Sequence, residues 1–189
     1  SDGRILVDGT PLNDDNIRAW QQSVGYVPQD IFLTDASITE NIALGVPPGQ
    51  IDADVVRRSA EIARLDGFIR DELPAGYDTT IGERGVRLSG GQRQRVGIAR
   101  ALYHDADLIV FDEATSALDN LTEREVMAAI DALPGEKTVL MIAHRLSTVR
   151  RCDRIIVLDQ GRLVGLGPWD TLMKENEAFQ RIANISEIA

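Results

Sequence analysis

Four short apolar runs punctuate the chain, at residues 5–7, 108–111, 139–142 and 155–158. Each has the length of a buried strand, and the segments between them carry helical spacing. The pattern predicts an α/β architecture with a largely parallel sheet flanked by helices. Between residues 51 and 73 the apolar positions Val55, Val56, Ile62, Leu65 and Phe68 recur among charges. That spacing predicts amphipathic helices in a separate lobe that interrupts the strand-helix alternation. Leu73-Pro74-Ala75-Gly76 then breaks the helical pattern, and a polar loop is expected up to Leu88. After Leu158, Gly161 and Gly167 mark a short hairpin, and Pro168 is placed to open a closing helix. No internal repeat or low-complexity tract is present.

Composition narrows the function classes. At 189 residues and 43% hydrophobic content the chain fits one domain with a substantial core, which excludes a disordered tail. A net charge of -10 argues against broad attraction to nucleic-acid backbones. Arg93, Arg95 and Arg100 cluster, but without interleaved aromatics, and read as helix-surface and packing residues. The single cysteine, Cys152, excludes an intrachain disulfide and any CxxC metal spacing. No apolar stretch approaches the ~20 residues that span a bilayer. The opening Ser1-Asp2-Gly3-Arg4 lacks the basic and apolar regions of a signal peptide, and the chain is expected to be cut from something longer.

Two constellations carry chemistry. Leu108-Ile109-Val110-Phe111-Asp112-Glu113 is an apolar strand ending in adjacent carboxylates. Ligands of open α/β sheets gather beyond the carboxyl ends of strands, so these acids are expected to face a site. Asp112 is placed to hold Mg²⁺, directly or through water, and Glu113 to polarise an attacking water. Taken alone, the hexapeptide is about equally well explained as a strand ending in solvated acids. Upstream, Leu88-Ser89-Gly90-Gly91-Gln92 precedes a helical pattern through Val96, Ile98, Ala99 and Leu102. Ser89 is a good N-cap, and paired glycines admit a ligand to the exposed N–H groups of the helix start.

With both in view, the chain resembles the nucleotide-binding domain of ATP-binding cassette proteins. Leu88-Ser89-Gly90-Gly91-Gln92 is similar to the signature motif, and Leu108 to Glu113 to the Walker B strand that follows it. Ser116-Ala117-Leu118-Asp119 resembles the D-loop, Ala143-His144-Arg145 the switch-histidine loop, and Val27-Pro28-Gln29-Asp30 the glutamine-bearing loop. The five motifs stand in order across residues 24–145, and it is the ordered set that is specific. Thr80-Ile81-Gly82-Glu83-Arg84-Gly85 and the phrases around Asp112 and His144 resemble exporters.

The resemblance implies a P-loop ATPase fold, with residues 1–189 forming part of one cassette domain and residues 50–88 its helical lobe and exporter-type loop. It implies ATP and Mg²⁺ as ligands, Mg²⁺ held by Asp112 and Gln29. It assigns catalysis to Glu113, His144 and Gln29, and nucleotide contact to Ser89, Gly90, Gly91, Gln92 and Asp119. In the family two such domains sandwich two ATP molecules, so Ser89 and Gly91 of one subunit would meet the γ-phosphate held by the other. Partners implied are a second nucleotide-binding domain and a transmembrane domain at the cytoplasmic face of the membrane, with no nucleic acid. The rival expectation is a non-catalytic regulatory or assembly cassette.

A P-loop needs G-x-x-x-x-G-K-[ST], because backbone N–H groups cradle phosphates and the lysine reaches them. The only lysines are Lys137 and Lys174, and Gly135-Glu136-Lys137-Thr138 reads as a turn entering a strand. The family places its P-loop and adenine-stacking aromatic upstream of a segment resembling residues 3–9, so both are expected before Ser1. The isolated chain is therefore expected to bind ATP poorly, to hydrolyse it negligibly, and to leave apolar surface and a strand edge uncovered.

Overall fold

The computed structural model describes residues 3–83, 85–113, 120–133, 135, 137–143 and 145–186. It divides into two compact units, residues 1–142 and 143–189. Of the expected site residues, Asp119 and His144 lie outside the described residues.

In the first unit, β1 (Leu6–Val7) and β2 (Thr10–Pro11) form a two-residue antiparallel ribbon. The expected buried strand at residues 5–7 is thus corrected: Ile5 is 65% and Leu6 48% exposed. A two-residue ribbon, turned by Asp8 and Gly9 at positive φ, is too short to bury a face of its own. Helix α1 (Ile17–Gln22) leads into β3 (Val24–Val27). Then come β4 (Ala36–Ser37), α2 (Ile38–Ile42), α3 (Ala53–Ile62), α4 (Asp66–Glu72) and β5 (Thr80–Ile81). Helix α5 (Gly90–Tyr103), β6 (Leu108–Asp112), α6 (Asn120–Asp131) and β7 (Thr138–Ile142) complete the unit.

The parallel sheet runs in the order β3-β6-β7. Its register aligns the carboxyl ends: Val27 lies opposite Phe111, and Asp112 opposite Ile142. Val27, Ile109 and Phe111 turn to one face and join Val96, Ile98 and Ala99 of α5 in a single apolar cluster. The helices expected between residues 51 and 73 are α3 and α4, and Val56, Leu65 and Ile69 belong to that same cluster. The opposite sheet face carries the row Tyr26, Val110, Leu140, with Ile142 beyond it. Here Tyr26, Leu140 and Ile142 are exposed, and among the described strands β7 pairs only with β6. Apolar exposure and an unpaired strand edge are therefore both present on this sheet.

The second unit holds α7 (Leu146–Val149), β8 (Ile155–Asp159), β9 (Arg162–Gly167), α8 (Trp169–Glu175) and α9 (Glu177–Ser186). The run at residues 155–158 is expected from the sequence to be a buried strand. Instead β8 pairs antiparallel with β9, burying Ile155 and Val157 against Leu172 and Phe179 while Ile156 and Leu158 face outward. The expected glycine-marked hairpin is present, turning at Gln160 and Gly161, both at positive φ. Pro168 caps α8, one position ahead of its first turn. Among the described residues no helix is long and apolar enough to cross a membrane.

Candidate functional site

Because β3, β6 and β7 are parallel and in register, their carboxyl ends share one edge of the sheet. Gln29 follows β3 by two residues, Asp112 ends β6, and Glu113 comes next, so three of the expected residues gather there. The half-buried Asp112 accepts a hydrogen bond from the Tyr26 hydroxyl, O to Oδ2 2.7 Å. That bond to Asp112, with smaller help from desolvation and the carboxylate charge, holds the Tyr26 phenol above its ordinary pKa.

Glu113 sits at φ 50°, a left-handed conformation unusual for a residue with a long side chain. Such a conformation costs of the order of 1–3 kcal/mol and persists only where the surroundings enforce it. Here its N–H still reaches the Ile142 carbonyl at 3.1 Å, so the ladder to β7 continues while the chain turns sharply. The two adjacent acids thus leave the strand on different backbone courses.

The second expected group lies at the start of α5. Ser89 Oγ accepts from the Gln92 N–H at 3.2 Å, and Gln92 Oε1 accepts from the Ser89 N–H at 2.7 Å, a closed capping box. Gln92 is thereby turned back on the cap. Ser89 is exposed and Gly90 half-buried, whereas Gly91 is buried against α6. A methyl at Gly91 would run into Thr122 Cγ2, so this glycine has a packing reason of its own.

The three arginines of α5 brace the fold, as expected. Arg93 donates to the Leu88 carbonyl, Arg95 to that of Arg64, and Arg100 to those of Asn41 and Phe32. Lys137 lies just before β7, at the end of the sheet opposite Asp112, and pairs with Asp105 at 2.7 Å. It enters a strand and cannot serve as a phosphate lysine at the acid end.

Two residues escaped the sequence reading. Tyr26 gave no signal beyond an aromatic in a short run. Gln94 is 5% exposed and donates from Nε2 to the carbonyls of Gln29 at 2.6 Å and Pro28 at 3.3 Å. Its signal was available: a polar residue four and seven positions ahead of Ile98 and Ala101 falls in the buried stripe of the helix.

Among the described residues no group of three or more His, Cys, Asp or Glu could hold a metal ion by itself. One carboxylate and one amide at a strand end nevertheless suit Mg²⁺, which commonly takes one or two protein oxygens and completes its shell with substrate phosphates and water. The donor set therefore fits a cation that arrives with a nucleotide.

Known proteins are similar to this chain in sequence and in fold. The chain is 43% identical over 186 residues to the ATP-dependent lipid A-core flippase of Cupriavidus pinatubonensis, covering 98% of this chain and 31% of the relative. It is 47% identical over 186 residues to the β-(1→2)glucan export ATP-binding/permease protein of Rhizobium meliloti, with the same coverage. The chain thus spans about a third of the length of these curated relatives. The structure of a bacterial Atm1-family ABC exporter with ATP bound superposes with a TM-score of 0.84 at 39% identity, over 100% of this chain and 32% of that one. The family model described as ABC transporter matches residues 1–116, more than half of the chain. Strand-end acids, a capped glycine-rich helix start and these similarities have one common explanation: the chain belongs to the ABC transporter family.

Proposed function

We propose that this chain is part of the ATPase module that powers an ABC exporter, and that Gln29, Asp112 and Glu113 form the acid end of its nucleotide site. The observation that carries the reading is the shared carboxyl edge of β3 and β6, which collects these residues from distant parts of the chain. Asp112 and the Gln29 side chain hold the cation of MgATP. That Mg²⁺ would neutralise charge on the phosphates. Glu113 orients and polarises the attacking water, and its backbone turn separates it from the cation ligand beside it. To His144 and Asp119 we assign the roles that the family resemblance implies, contact with the γ-phosphate and linkage to the second cassette.

Ser89 and Gly90, at the positive end of α5, close on the nucleotide of a second cassette, with Gly91 and Gln92 shaping that helix start. Residues 50–88 form the helical lobe that carries the signature. The module works at the cytoplasmic face of a membrane, joined to a transmembrane domain. A non-catalytic cassette would have no use for Gln29, Asp112 and Glu113 assembled at one edge. The isolated polypeptide 1–189 contains no G-x-x-x-x-G-K-[ST] motif to cradle phosphates and is expected to bind MgATP weakly.

Complementation tests the shared site. In a dimer of two copies of the full-length protein, neither Ser89→Arg nor Glu113→Gln alone supports turnover. Mixed dimers, one subunit of each kind, retain one undamaged composite site and regain Mg²⁺-dependent ATP hydrolysis. Mixed dimers as inactive as either parent would show that each subunit keeps its site to itself.

A further inference from the structure

The loop after β3 lies along α5 and is gripped there at successive points. In the second turn of α5, the buried Gln94 amide donates to the Pro28 and Gln29 carbonyls. One turn on, Gly97 admits Ile31: a Cβ there would stand 2.5 Å from Ile31 Cδ1. Near the end of the helix, Arg100 Nη2 donates to the Phe32 carbonyl at 3.2 Å, and its Nε to the Asn41 carbonyl at 3.0 Å. The fully buried Asn41 takes over from there, bonding the Thr34 N–H and the Thr34, Ala36 and Ser37 carbonyls.

Gln94 is the member of this series nearest the acids. Both of its loop partners are carbonyl acceptors, so the amide nitrogen must face them. Its Oε1 is left buried with no hydrogen-bond partner among the described residues. A core position on a helix is ordinarily filled by an apolar side chain, and an unsatisfied buried acceptor is unfavourable. The glutamine is explained by what its nitrogen does for the loop.

We propose that Gln94 is a positioning residue, which fixes the backbone of the Gln29 loop to the signature-bearing helix and so sets where Gln29 meets the nucleotide-bound cation. This rests on the assignment of Gln29 to that cation. The consequence is mechanical: the helix that presents Ser89 and the loop that presents Gln29 shift as one body, so displacement of either is felt at the other.

The test is a double-mutant cycle in the full-length protein, with Mn²⁺ as probe and a non-hydrolysable ATP analogue present. Free Mn²⁺ is read by electron paramagnetic resonance. Gln94→Met keeps length and burial but removes the donor, and is expected to weaken Mn²⁺ binding about tenfold, the low end for residues that orient metal ligands. Gln29→Ala should do the same, and the double variant should be no weaker than Gln29→Ala alone. Wild-type affinity in Gln94→Met, or losses that add in the double variant, overturns the proposal and leaves the Gln29 assignment standing. Unchanged affinity in Gln29→Ala overturns that assignment, and the proposal falls with it. Gln94→Leu, equally without a donor, repeats the cycle if Gln94→Met does not fold.

Discussion

The start of α5 and the ends of β3 and β6 face the same proposed chemistry but are built by opposite means. At α5 the geometry is local, with Ser89 and Gln92 satisfying each other three residues apart. At the strand ends it is wholly non-local: Tyr26 and Asp112, bonded through their side chains, are 86 residues apart in the chain. The helix start carries no strain and is closed by a motif that any solvated helix could use. The strand end carries a left-handed glutamate whose N–H bonds the Ile142 carbonyl of β7. Damage at the first should therefore appear mainly as lost stability or docking, and damage at the second as lost chemistry.

The largest expected effect lies on the strand side. Glu113→Gln in the full-length protein should slow ATP turnover by roughly 10²–10⁴-fold, the usual contribution of a general base, while calorimetry still detects ATP binding. Turnover within twofold of wild type would end the distinction drawn between the two regions.

Next comes Gly91→Ala on the helix side. The new methyl meets Thr122 Cγ2, so α5 and α6 must part, at a cost of about 1–3 kcal/mol in urea unfolding. Thr122→Ser removes that methyl, leaving Thr122 Cβ at 3.4 Å as the next neighbour, and should recover most of the loss. No recovery in the double variant would mean that the clash is not the cause.

Ser89→Ala, which opens the capping box, should cost about 1 kcal/mol. The same unfolding measurement reports it, and a loss no larger than that of an exposed alanine control would show the cap to be idle.

The smallest effect separates two boxes of the same design. Ser37 and Glu40 cap α2 as Ser89 and Gln92 cap α5, but Glu40 titrates. Hydrogen bonds from the Ser37 hydroxyl, then from its backbone N–H, hold the Glu40 carboxyl below its ordinary pKa. A depressed carboxylate pKa stabilises the fold above the unfolded value and loses that contribution as pH falls through the folded one. Carboxyl NMR titration should show the low Glu40 midpoint and its upward return in Ser37→Ala, with no comparable pH dependence at Ser89. Identical midpoints in both proteins would remove the hydrogen-bond explanation.

The limits of the sequence reading follow the same division. The signature helix, β6, β7, α3 and α4 were legible because cap, period and turn residues lie within a few positions of one another. Residues 5–7 and 155–158 misled because an apolar run reports hydrophobicity without reporting what covers it. The former lies on an open ribbon, and the latter buries alternate residues in a hairpin. Strand β3 passed unnoticed because Val24-Gly25-Tyr26-Val27 is short and glycine-broken, and only its pairing with β6 makes it a strand.

By itself the amino-acid order determined the capped helix start, the acid-tipped strand and the family to which they belong, since each is written in contiguous residues whose preferences act over a turn or a pleat. Only the tertiary structure decided that Tyr26 bonds Asp112 and that Gln94 holds the loop that carries Gln29. Those relations depend on strand register and on helix-to-sheet packing, which arise from summed burial across the whole unit and leave no mark at any one position.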